Sequence, residues 1–110
     1  MTVSDLIKTE KFTSISLPNG EREINGVYIG DLLSWVMGKA QTDNAWITIM
    51  SNINVVAVAS LTDVACVILA EDVKMEADVI NTAQEKGINI LSTSLSTYEA
   101  TLSLGELLVE

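Results

Sequence analysis

Any chemistry in this chain must come from a few polar side chains: Ser51-Asn52, the acid pair Glu71-Asp72, the hydroxyl run Ser92-Thr93-Ser94, and Thr97. Adjacent carboxylates can hold a hard cation or divide acid and base roles. A cation needs about six or more oxygens, however, and catalytic carboxylates need tuned surroundings. A solvated acidic loop accounts for Glu71-Asp72 without either. Hydroxyls ahead of a helix can receive a small polar or anionic group, and a capped turn without a ligand explains them as well. The chain has no His, so the commonest general base and metal ligand is missing. A phosphate-binding loop needs Gly, four intervening residues, then Gly-Lys-Ser/Thr. Here Gly38-Lys39 is followed by Ala40, and Leu33 stands where the first Gly should be. No catalytic residue, metal site or cofactor is expected. The candidate ligand contacts are Ser51, Asn52, Glu71, Asp72, Ser92, Thr93, Ser94 and Thr97.

These residues follow three short apolar runs, each leading into a helix-like segment, between Ala45 and Val109. That rhythm predicts a parallel sheet with crossover helices, whose ligand sites lie beyond the carboxyl ends of the strands. A strand over Ala45–Met50 leads to Asn52, a good N-cap for a helix from about Ile53 to Asp63. Val55, Val56 and Val58 favour strands. A parallel neighbour at Ala65–Leu69 nevertheless needs a crossover of about a dozen residues, and this segment supplies it. The strand Ala65–Ala70 leads through an acidic loop to a helix over Met75–Lys86, with Ala77, Ile80 and Ala83 or Gln84 at helical spacing and Gly87 closing it. The strand Ile88–Leu91 follows. Ser96-Thr97-Tyr98-Glu99 is a capping box opening a last helix that carries Leu102, Leu104, Leu107 and Leu108.

Ahead of this repeat, Thr2 or Ser4 can cap a short helix through Lys8. Phe12–Leu17 alternates as an edge strand, and Pro18-Asn19-Gly20 makes a turn. Ile24–Ile29 reads as a second short strand. Gly30-Asp31 opens a helix through Lys39, with Leu32, Leu33, Val36 and Met37 on one face and Asp31 in the first turn. The expected fold is α/β: three layers, a mainly parallel sheet of three core βα units, and extra short N-terminal strands, in a single domain over residues 1–110.

The chain carries a net charge of −9, with 6 basic against 15 acidic residues. Nucleic-acid binders draw most of their affinity from Lys and Arg at phosphates, and anionic membrane surfaces repel the same excess of acid. Neither partner is expected. The mostly apolar stretch Ile53–Ala70 approaches the length of a spanning helix. Asp63 interrupts it, and an Asp at a bilayer centre costs roughly 2.5–3.5 kcal/mol, so a soluble helix and buried strand are the better reading. Cys66, the one cysteine, lies within an apolar run and reads as an inert core thiol. With no basic-then-apolar leader at the N-terminus, it points to the cytoplasm. Trp35 and Trp46 read as core or interface aromatics.

The residues Gly30-Asp31-Leu32-Leu33, Ile47-Thr48-Ile49, Val67-Ile68-Leu69, Ala83-Gln84-Glu85-Lys86-Gly87-Ile88 and Thr97-Tyr98 resemble the DRTGG domain family over Gly30 to Ala100. The span is also similar to the N-terminal domain of HPr kinase/phosphorylase. The chain departs from that pattern at the residues that name it. Met50-Ser51-Asn52 stands in place of Gly-Asp-Arg, and Ala70-Glu71-Asp72 in place of Thr-Gly-Gly. Ser96-Thr97-Tyr98 replaces Asp-Thr-Tyr. The resemblance implies a non-catalytic regulatory or interaction module, with no kinase activity. Such a module would self-associate as a homodimer and sense a small ligand at its strand ends. The alternative expectation is an accessory subunit docking on a redox or metabolic enzyme through Trp35 or the C-terminal leucines.

Overall fold

The computed structural model describes residues 1–109. In chain order the elements are α1 (Val3–Lys8), β1 (Thr13–Ser16), β2 (Gly26–Ile29), α2 (Leu33–Lys39), β3 (Asn44–Thr48), α3 (Ile53–Thr62), β4 (Cys66–Leu69), α4 (Ala77–Glu85), β5 (Ile90–Ser92) and α5 (Thr97–Leu108). The strands form one sheet in the order β1-β5-β4-β3-β2. All neighbours from β2 to β5 are parallel, and β1 closes the β5 edge antiparallel. The expected α/β fold with a mainly parallel sheet is therefore present. One part of the expectation changes. β2 is a full member of the parallel set, so β2 and α2 make a fourth βα unit.

Parallel strands laid down in sequence order, joined by crossovers of one hand, send successive helices to the same face. The packing follows that rule. Val36 of α2, Val55, Val56, Val58 and Ala59 of α3, and Val79 and Ala83 of α4 pack with Trp46, Val67, Leu69 and Ile90. On the other face Val3 and Leu6 of α1 and Ala100 and Leu104 of α5 pack with Ala45, Ile47, Cys66, Ile68 and Leu91. Adjacent strand residues thus alternate between two cores, as the pleat requires. Covered on both sides, β3 and β4 are buried throughout, which is why they read as unbroken apolar runs. Packing of Val55, Val56, Val58 and Ala59 against one face of the sheet overrides the strand preference of the valines in α3. No helix of the described residues is long and apolar enough to cross a membrane.

Local signals set most boundaries. Thr2 and Asp5 form a capping box at α1, and Ser96 and Glu99 form one at α5. Asn52 Oδ1 accepts from the Asn54 amide at 3.0 Å. Gly87 takes φ +75° after α4, in the region where a Cβ is disfavoured. Several expectations shift. α2 begins at Leu33, and Leu32 and Met37 are exposed while Val36 alone is buried. A seven-residue helix over an edge strand has only a narrow buried stripe. α4 begins at Ala77 rather than Met75, and its packed face is Val79, Ile80 and Ala83 rather than Ala77. β5 begins at Ile90 rather than Ile88, and the Asn89 side chain just before it bonds Asn19 and the Ala65 carbonyl. On α5, Ala100 and Leu104 supply the buried face and Leu102 is exposed.

At the amino ends of the parallel strands, Arg22 joins two loops. Its Nε and Nη2 donate to Asp43 Oδ1 at 3.0 and 2.9 Å, and Nη2 lies 2.9 Å from Asp63 Oδ1. Both aspartates occupy the left-handed region, at φ +67° and +58°, and the Asp43 amide donates to the Asp63 carbonyl at 3.0 Å. This knot lies at the end of the sheet opposite the ligand-prone edge.

Candidate functional site at the strand ends

Adjacent parallel strands whose following helices go to opposite faces leave a crevice at their carboxyl ends. Here the pair is β4 and β5, since α4 lies on one face and α5 on the other. The main chain closes that crevice. Glu71 and Asp72 adopt consecutive left-handed conformations at φ +61° and +60°. That turn aims the Glu71 amide at the Leu95 carbonyl, 2.8 Å away, and the Asp72 amide at the Thr93 carbonyl, 2.9 Å away. The Thr93 amide donates back to Leu69 at 3.0 Å. The two positions where the resembled pattern has its paired glycines are thus positions of positive φ, which glycine adopts most readily.

The side chains there are engaged in holding the loops or face solvent. Asp72 Oδ1 pairs with Lys74 Nζ at 2.9 Å, both largely exposed. Thr93 is buried; its hydroxyl donates to the Lys11 carbonyl at 2.8 Å and accepts from the Leu95 amide at 3.1 Å. Ser92 lies opposite Thr13 in the β1–β5 pair. Ser94 is exposed and Thr97 half-buried as the first residue of α5. The Glu99 carboxyl is held below the usual carboxylate range by the hydrogen bond from the Ser96 backbone.

The open concavity lies one strand over. A cleft of about 340 Å³ is lined by Ser51, Asn52, Ile53, Glu76, Asp78 and Val79. It sits between the amino ends of α3 and α4. Of the residues singled out from sequence, the structure brings Ser51 and Asn52 together here. It does not place Glu71, Asp72, Ser92, Thr93, Ser94 or Thr97 on its walls. Glu76 and Asp78 were not expected. Glu76 is the N-cap of α4 without a side-chain capping bond, and Asp78 Oδ1 accepts from the Val79 amide at 3.0 Å. Acids at a helix start favour the dipole, so their positions near Met75 carry a structural meaning that masks any other. No Lys or Arg lines the cleft, so two carboxylates set its sign. The two helix starts would attract an anion, but these closer full charges oppose it.

Asp31 belongs to the same edge. It does not sit in the first turn of α2 as expected. Its Oδ1 accepts from Thr48 Oγ1 at 2.8 Å and the Ile49 amide at 2.9 Å, pinning the β2–α2 turn to the end of β3. Trp46 Nε1 donates to the Gly30 carbonyl at 2.8 Å and secures the turn from below. Trp46 is fully buried, whereas Trp35 is 60% exposed, so the two tryptophans have different roles. Cys66 is buried between the layers, and desolvation pushes its thiol up to about 12, which suits an inert core residue. Among the described residues no group of three or more His, Cys, Asp and Glu side chains is placed to hold a metal ion.

Comparison with known proteins adds two positive findings. The DRTGG domain family matches residues 18–107. The fold is similar to the CBS and DRTGG domains of the regulatory region of Clostridium perfringens pyrophosphatase, solved in complex with its activator diadenosine tetraphosphate. That likeness has a TM-score of 0.71 at 11% identity, covering 92% of this chain and 44% of the other. The present chain therefore spans less than half of that regulatory region, and at this identity the likeness speaks for the fold. No curated protein matches the chain.

Proposed function

Because this chain belongs to the DRTGG domain family, we propose that it is a non-catalytic regulatory or interaction module that reads a small ligand at its strand ends, self-associates, and works as one domain in the cytoplasm. The cleft at Ser51, Asn52, Glu76 and Asp78 carries this reading, because the other strand-end loops are laced together by their own backbone. The regulatory region of the clostridial pyrophosphatase, which contains such a domain beside CBS domains and takes an activator, supports a regulatory role. The acidic walls favour an uncharged polar or cationic ligand over a phosphorylated one. Self-association is supported by Tyr98 and Leu102, exposed one turn apart on α5.

A thermal-shift screen of amines, nucleotides and phosphorylated metabolites tests the ligand reading. A ligand at a hundredfold excess over its Kd stabilises the native state by about 2.7 kcal/mol. The expected result is a shift with a cationic or neutral compound that Ser51→Trp, which fills the cleft, removes. A flat screen together with a monomer in sedimentation equilibrium would sink the proposal. The second reading, an accessory subunit docked on a redox or metabolic enzyme, draws on the exposed Trp35 and predicts a stoichiometric complex on native co-purification.

A further inference from the structure

We propose that the outer face of α2 and α3, together with the acidic cleft at its end, docks a basic amphipathic segment of a partner protein. α3 has no charged residue, and its only polar side chains are Asn54, Ser60 and Thr62. Asn54 and Ser60 are exposed on its outer side, and a helix with so little polarity around it is normally covered on more than one face. Here the inward side is buried by Val55, Val56, Val58 and Ala59, while Ile53 and Leu61 on the outside are 48% and 72% exposed. α2 packs beside α3 and turns Leu32 and Trp35 outward, 63% and 60% exposed. Two neighbouring helices with apolar outer residues make a patch of the kind that marks an interaction surface.

Charge selects the occupant. Ile53 is shared between this face and the cleft, whose charged walls are Glu76 and Asp78. Neither acid forms an ion pair among the described residues, nor does Asp31 at the same edge. Lys39 Nζ, the cation of this face, lies 5.4 Å from the Trp35 ring centroid. A second copy of this chain, with 6 basic against 15 acidic residues and a net charge of −9, has few cations to offer these acids. A basic partner reverses that sign. Its apolar side covers Leu32, Trp35, Ile53 and Leu61, and a Lys or Arg at its end reaches Glu76 and Asp78, in the helix-on-groove mode. The inference rests on the interaction-module reading and not on a small ligand in the cleft.

The test titrates the intact protein with a fluorescein-labelled amphipathic helical peptide of Leu and Lys, roughly four turns long, read by anisotropy. Saturable binding is expected. It should weaken about tenfold or more on Trp35→Ala, a truncation at the apolar centre, and about threefold to tenfold on the double change Glu76→Gln and Asp78→Asn. It should be unmoved by Glu21→Gln, which lies off the face. Circular dichroism confirms that each variant is folded. No saturable binding overturns the proposal, as does equal weakening by Glu21→Gln, which would mean attraction to net charge alone. A dimer that Trp35→Ala dissolves would assign the face to a second copy and overturn it as well. Loss of peptide binding leaves the thermal-shift result standing, so the two failures are distinguishable.

Discussion

Replacing Glu71 with glycine should make this protein more stable. Glu71 sits at φ +61°, where an L residue brings its Cβ against the backbone at a cost of roughly 1–2 kcal/mol. Glycine removes that cost but adds unfolded-state freedom worth about 0.5–1 kcal/mol. The glutamate side chain is exposed and makes no hydrogen bond among the described residues, so little else changes. The amide that donates to Leu95 at 2.8 Å is retained. The net gain is about 0.5–1 kcal/mol, or about 2–4 °C in Tm for a domain of this size. Urea unfolding and calorimetry should compare the parent chain with Glu71→Gly and Glu71→Ala. Alanine deletes the same carboxylate but keeps the Cβ, so it should give no gain. Equal stability of the glycine and alanine variants would refute the backbone argument. Asp72, at φ +60°, should gain less from glycine, since aspartate tolerates this region better and its carboxylate contacts Lys74.

Three further outcomes follow from the same geometry. Arg22→Ala should cost about 1–3 kcal/mol in urea unfolding, because it strips a half-buried cation from two aspartates and a carbonyl; strict additivity with Asp43→Asn would contradict a shared network. Asp5 and Glu99 are held below their ordinary carboxylate values chiefly by backbone hydrogen bonds from Thr2 and Ser96. Their contribution is present above the unfolded-state pKa and is lost as pH falls through the lower folded-state value, so amide exchange, corrected for its intrinsic pH dependence, should show α1 and α5 fraying first on acidification. Cys66, raised to about 12 by burial, should react with a thiol reagent only as fast as the protein opens. Its protonated form is favoured by the fold, so its effect on stability is flat below the unfolded thiol pKa and turns unfavourable as pH climbs from about 8.5 towards 12.

How much of this was readable in advance depended on the range of the interaction. Asn52, Gly87 and the Ser96–Glu99 box announced their roles because each acts within a few residues of itself. The helix over the valines of α3 was inferable because a parallel crossover leaves no other element for that segment. Ser51 and Asn52 follow β3 and line the cleft. Their cleft neighbours Glu76 and Asp78 lie on another helix and look like ordinary first-turn acids in sequence. Leu32 and Met37 show the opposite failure. Apolar periodicity implied a buried face, but α2 lies over the edge strand β2, where little sheet extends beneath it.

The sequence alone determined the alternation of strands and helices, their caps and the two-sided burial of β3 and β4, since propensity, capping and apolar run length are local properties. Only the tertiary structure decided that β2 joins the parallel set and that α4 and α5 part to opposite faces. It alone closed the crevice between β4 and β5 with the amides of Glu71 and Asp72, and left α2 and α3 with bare apolar flanks. Those outcomes depend on hydrogen bonds and contacts between residues far apart in the chain, whose partners no local pattern specifies.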